Sequence, residues 1–140
     1  MSNLEKKNII VTGASGGIGN AIIKKLYKAG ANILASGTRI EKLEELKKNF
    51  ERIKILKFDI SQSDKIEEFI ENATSELGGS LDGIVNNAGI TQDNLAIRMS
   101  LDEWQKVINI NLTSTFLMSK FAIKKMLKNK SGKIVNITSV

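Results

Sequence analysis

"NIIVTGASGGIG" (Asn8–Gly19) decides how the rest of the chain is read. Asn8–Thr12 is an apolar, β-branched run stopped by Gly13, which predicts a buried strand. After the glycines, Ile18, Ala21, Ile22, Leu26 and Ala29 recur at helical spacing, and "AGA" (Ala29–Ala31) ends that helix. Strand, glycine-rich turn and helix in this order suit a loop that holds phosphate. Gly13 takes the tight turn, Gly17 lets the backbone approach a pyrophosphate, and Gly19 allows helix and strand to pack closely. The free N–H groups and the dipole at the helix start attract the anion. A plain glycine-rich turn is the simpler alternative; the βαβ unit around the pattern favours phosphate.

The same alternation continues outward. "NILAS" (Asn32–Ser36) reads as a second strand, Glu41–Asn49 as a charged helix and "IKILKF" (Ile53–Phe58) as a third strand followed by Asp59. Ser61 is expected to cap a helix running to Leu77, ended by "GGS". "LDGIVN" (Leu81–Asn86) is strand four. A long helix, with a bend near Asn111, runs from Leu101 to Lys128, and "KIVNIT" (Lys133–Thr138) is strand five. Parallel strands joined by right-handed helical crossovers give an α/β, doubly wound sheet in the expected order 3-2-1-4-5. Ligands in such sheets sit beyond the carboxyl ends of the strands, where Gly13, Asp59, Asn87 and Ser139 fall.

Composition narrows the chemistry. With no cysteine these residues offer no disulfide framework and no thiolate chemistry, and with no histidine a zinc site or a histidine acid/base is disfavoured. No apolar run approaches membrane-span length, and the N-terminus has no signal-peptide pattern, so a cytoplasmic protein is expected. The net charge of +6 is uneven: seven lysines and no acid follow Glu103, so the chain up to Glu103 nets −1. Lys120, Lys124 and Lys128 fall on one helix face, with Lys125 and Lys130 beside them. A solvated lysine face is the plain reading. Nucleic acid is disfavoured, since there is no recognition helix and no aromatic residue pattern among these lysines.

The glycine spacing is Gly-x-x-x-Gly-x-Gly, and "TGASGGIG" (Thr12–Gly19) resembles the glycine motif of the short-chain dehydrogenase/reductase family. "NNAG" (Asn86–Gly89), "NINL" (Asn109–Leu112) and "ITSV" (Ile137–Val140) follow in the family's order. The resemblance implies a Rossmann-type dinucleotide domain over residues 1–140, as the N-terminal part of a longer protein. It implies cofactor contacts from Gly13, Ala14, Ser15, Gly16, Gly17, Ile18 and Gly19, and from Asn87, Ala88 and Gly89. Asp59 and Ile60 are expected beside the adenine, although Asp59 also reads as a plain helix-start residue. The end of strand two selects the cofactor. "SGTR" (Ser36–Arg39) has no acid to bind a ribose 2′-OH, which favours NADP(H), with Thr38 and Arg39 in contact. Gly16 stands against this, occupying a place that is basic in many NADP members.

The resemblance also assigns Ser139 and Asn111 to catalysis. The family's proton donor is a tyrosine activated by a lysine four residues on, a cation that a phenol of pKa ~10 requires. The only tyrosine here is Tyr27, followed four residues on by Ala31, so the 140 residues alone are expected to be inactive. Apart from the resemblance, Thr138 and Ser139 read as hydroxyls closing a strand. Within the family, "VNNAGITQDNL" (Val85–Leu95) and "KSGKIVNITSV" (Lys130–Val140) look most like the 3-oxoacyl-acyl-carrier-protein reductases. These reduce a β-ketoacyl thioester to the (3R)-3-hydroxyacyl form in fatty acid synthesis. That implies NADPH, a tetramer and an acidic carrier-protein partner docking at Lys124, Lys125, Lys128 and Lys130. Another short-chain reductase, a non-catalytic nucleotide-binding regulator and a fragment without independent function remain alternatives.

Overall fold

The computed structural model describes residues 3–89 and 95–138. Five strands, β1 (Asn8–Val11), β2 (Asn32–Gly37), β3 (Lys54–Lys57), β4 (Gly83–Asn86) and β5 (Lys133–Asn136), form one sheet in the order β3-β2-β1-β4-β5. Every pairing is parallel, with Ile10 opposite Leu34 on one side and Ile84 on the other. The helices are α1 (Gly17–Lys28), α2 (Ile40–Asn49), α3 (Ile66–Glu76), α4 (Leu101–Val107) and α5 (Ser114–Met126).

Period-2 alternation sends neighbouring side chains to opposite faces. Ile9 and Val11, with Ile33, Ala35 and Val85, pack against Ile23 of α1 and Leu43 and Leu46 of α2. Ile10, Leu34 and Ile84 point the other way, onto Ile66, Phe69 and Ile70 of α3 and Met118, Ala122 and Met126 of α5. Burying an isoleucine or leucine fully contributes about 1.5–3 kcal/mol, so the central strands anchor both layers. Gly78 and Gly79 (φ +103° and +102°) follow α3, as the "GGS" signal predicts.

One helix start differs from expectation. Ser61 does not cap α3. Its N–H is donated to Asp59 Oδ1 at 2.9 Å, so the chain turns there, passes through a 3₁₀ turn (Ser63–Lys65) and enters α3 only at Ile66. α4 does carry a full capping box: Ser100 Oγ accepts from the Glu103 N–H, and Glu103 accepts from the Ser100 N–H. The Ser-x-x-Glu spacing before Trp104 is its sequence signal. The bend expected near Asn111 is a π-helical turn, Ile108–Thr113, between α4 and α5.

Candidate functional site

The carboxyl ends of β1, β2, β3 and β4 open onto a cavity of about 450 Å³. Thr12, Gly13 and Ser15–Gly19 line it from the glycine loop, Ser36–Arg39 from the end of β2, Phe58–Ile60 from the end of β3 and Asn87–Gly89 from the end of β4. Ile110 of the π turn closes one side. Of the residues expected around a dinucleotide, only Ala14 does not line it; Ala14 is buried beneath the loop, its N–H donated to the Ser36 carbonyl.

The glycine loop and the Asn87–Gly89 segment are stitched together. Thr12 Oγ1 accepts from the N–H groups of both Asn87 and Ala88 at 3.0 Å, and Asn87 Nδ2 donates to the Gly13 carbonyl at 3.1 Å. Gly13 has φ +63°, and a Cβ there would stand 2.8 Å from the Ala88 nitrogen. Gly19 is equally constrained, since a Cβ would run into the Gly13 carbonyl and Ala14 Cα. Gly17 is different: a Cβ there would meet no protein atom within 4 Å. Internal packing therefore requires Gly13 and Gly19 but not Gly17, which lines the cavity. No side chain caps the first turn of α1 and no acid lies in it, so its N–H groups are directed at this space. Thr12 carries more of the architecture than its sequence position suggests; its signal is a hydroxyl set between a buried strand and the first glycine.

At the second strand, a Cβ on Gly37 would lie 2.8 Å from Ser15 Oγ, so glycine lets the end of β2 touch the loop. Arg39 bridges the same gap by donating from its guanidinium to the Ser15 carbonyl at 2.9 Å. Asp59 faces the cavity from β3. The Ser61 N–H and hydroxyl hold its carboxyl below the ordinary value of 3.8, so it is an anion at neutral pH.

The expected catalytic pair is placed only in part. Asn111 lies on the π turn with its side chain against Gly89, where a glycine Cβ would be 3.1 Å from Asn111 Oδ1. Its carbonyl accepts from the Ser114 N–H and from Thr115 Oγ1 at 2.8 Å. Asn111 does not line the cavity; its neighbour Ile110 does. Ser139 lies outside the described residues. The strand leading to it runs beside β4, with Asn136 opposite Asn86 and the Ile137 N–H donated to the Asn86 carbonyl. Asn86 is buried and donates to Asn136 Oδ1 at 2.9 Å and to Ser119 Oγ at 3.3 Å, tying β4, β5 and α5 together. Tyr27 is remote from this edge, packed on Phe50 with the Arg52 guanidinium 4.1 Å above its ring.

The basic stretch is partly neutralised. Lys125 pairs with Glu71 of α3 at 2.6 Å, and Lys124 approaches Glu67 at 4.0 Å. Lys125 lowers the Glu71 carboxyl below its ordinary value through that hydrogen bond.

The sequence model of the short chain dehydrogenase family matches residues 7–140. The chain belongs to the short-chain dehydrogenase family. It is 41% identical to nodulation protein G of a Rhizobium species, an alignment covering 100% of this chain and 57% of that protein. It is also 41% identical to 3-oxoacyl-[acyl-carrier-protein] reductase FabG of Rickettsia conorii, covering 100% of this chain and 56% of that one. The chain thus spans little more than half the length of the curated relatives it matches. A short-chain type dehydrogenase/reductase from Mycobacterium ulcerans has the same fold, with a TM-score of 0.90 at 24% identity over 98% of this chain and 52% of that one. Among the described residues, no helix is long and apolar enough to cross a membrane, and no cluster of acids could hold a metal ion.

Proposed function

We propose that this chain is the NADPH-binding portion of a cytoplasmic reductase. Its substrate would be a 3-oxoacyl group on an acyl carrier protein, reduced to the 3-hydroxyacyl form. The observation that carries the cofactor reading is the end of β2. Gly37 and Thr38 stand where an acid would bind a ribose 2′-OH, and the Arg39 guanidinium is held against the glycine loop by Ser15. The residues present fit a dinucleotide: space at Gly17, uncapped N–H groups at α1, and a cavity reaching from Asp59 to Asn87. NADPH would supply the hydride. Thr38 and Arg39 would bind the 2′-phosphate, Gly13–Gly19 the pyrophosphate, Asp59 and Ile60 the adenine end, and Asn87–Gly89 the nicotinamide-side ribose. Ser139 would donate to the substrate oxygen, and Asn111 would hold the turn beside it.

The substrate reading is supported by the Rickettsia conorii relative. Nodulation protein G, equally similar, keeps other short-chain reductase substrates as the second reading. An acidic carrier protein would meet Lys124, Lys125, Lys128 and Lys130, with two of these shared with α3 carboxylates. Exposed Leu112, Phe116 and Leu127 around α5 would be covered by a further copy in a tetramer.

A fusion tests the activity. The 140 residues alone have no Tyr-x-x-x-Lys, and loss of positioned acid catalysis costs typically about 10²–10⁴ in rate. We expect no 3-oxoacyl thioester reduction by the chain alone. We expect NADPH-dependent reduction when it is joined to the C-terminal remainder of the Rickettsia conorii reductase. A soluble, NADPH-binding fusion that turns over other carbonyls and not this thioester would refute the substrate.

A further inference from the structure

Behind the glycine loop lies a second hollow, which shares Ser15, Gly16, Gly17 and Arg39 with the main cavity. Arg39 and the loop therefore form a border that the two hollows share. A second cation lies beside that border. Lys42 lines the hollow from the first turn of α2, and its N–H is donated to the Arg39 carbonyl at 3.1 Å. Arg39 is the extended N-cap of α2, and Lys42 stands three residues on, in its first turn. Both line the hollow with Ser15, the loop residue that the end of β2 touches through Gly37.

What Lys42 does at present is weak. Its ammonium sits 3.8 Å from Glu45, with the two side chains 49% and 67% exposed. An exposed pair at that distance contributes little, so the lysine exchanges partners at small cost. Glu45 lines the same hollow, so one carboxylate opposes two cations there.

We infer that Lys42 is a second reader of the cofactor's 2′-phosphate, acting with Arg39, and that Glu45 weakens this recognition by competing for Lys42. This role rests on the NADPH assignment above and deepens it. The arginine offers a planar fork already fixed by Ser15, whereas the lysine adds a mobile point charge. The pair also compensates for Gly16, which leaves the loop itself without a basic residue. Lys42 and Glu45 thus have opposite effects on one ligand group.

NADPH and NADH differ only in the 2′-phosphate, so calorimetric titration of the chain with each isolates this contact. Wild type is compared with Lys42→Met, Glu45→Gln and Arg39→Met. NADH affinity is expected to stay constant across the Lys42 and Glu45 variants, which also reports that both remain folded. Lys42→Met should weaken NADPH about fivefold, and Glu45→Gln should tighten it about twofold. Arg39→Met should weaken NADPH about tenfold or more. If Arg39→Met weakens NADPH while Lys42→Met leaves it unchanged, the Lys42 role is wrong and the cofactor reading stands. Equal loss of NADH and NADPH in Lys42→Met also overturns it, since the residue would then act on the fold. A wild-type chain that binds NADPH no more tightly than NADH overturns both.

Discussion

Strands β1 and β2 are buried on both faces, with Ile10, Val11, Leu34 and Ala35 wholly removed from water, whereas β5 leaves Val135 48% exposed and Ile137, just after it, is 40% exposed. The difference extends to the helices. α1 and α2 bury Ile23, Leu43 and Leu46 against the sheet, while around α5 Leu112, Phe116 and Leu127 each stand more than half exposed. Parallel sheets are normally covered on both faces. β1, β2 and β4 meet that requirement from within the chain; β5 is packed only on the α5 side, through Ile134. In the proposal, the glycine-loop half holds the cofactor and the half ending in β5 holds the reacting groups. A cofactor half can be structurally complete while the catalytic half still depends on surfaces supplied from elsewhere.

The sharpest way to break this comparison is at the glycines. Gly13→Ala forces a side chain into a left-handed backbone and against the Ala88 nitrogen, and should destabilise the chain by about 2–4 kcal/mol. Gly17→Ala meets no atom and should change stability by no more than about 0.5 kcal/mol, yet should weaken NADPH binding. Urea unfolding and cofactor titration of the two variants separate the roles. Comparable stability losses in both would mean that Gly17 serves packing and that the space beside it is incidental.

On the other half, Phe116→Asp should abolish self-association at micromolar concentration while leaving stability within about 0.5 kcal/mol. Sedimentation equilibrium checks it. A wild-type chain that is strictly monomeric would remove the assembly reading.

The strand order and the cavity were legible because both rest on periodicity and punctuation. The unbroken apolar run within Asn8–Val11, the similar run within Asn32–Gly37 and the stops at Gly13, Ala29–Ala31 and Gly78–Gly79 are local signals. What escaped depends on contacts distant in sequence or on competition for one group. Thr12 bonds to the Asn87 and Ala88 N–H groups, more than seventy residues away. Ser61 looked like a helix cap, but its N–H and hydroxyl are both engaged by the Asp59 carboxylate. The lysines at 124 and 125 read as an open basic face because their partners, Glu67 and Glu71, belong to another helix.

The smallest expected effect concerns that Asp59 turn. Its carboxyl titrates lower in the folded chain than in the unfolded one, so its stabilisation is present above the ordinary value of 3.8 and is lost as the pH falls below that through the folded value. Stability measured against pH should therefore drop less steeply in this acid window for Asp59→Asn than for wild type. Identical profiles would mean that the Ser61 hydrogen bonds do not persist in solution.

The central claim, a complete NADPH-binding half within these 140 residues, is tested most directly by titrating the purified wild-type chain with NADPH by calorimetry, with NADH as the reference. The account predicts saturable binding of one NADPH per chain, tighter than NADH and weakened by added salt as screened phosphate contacts are. A folded chain that binds neither nucleotide, or binds NADH at least as tightly, would contradict it.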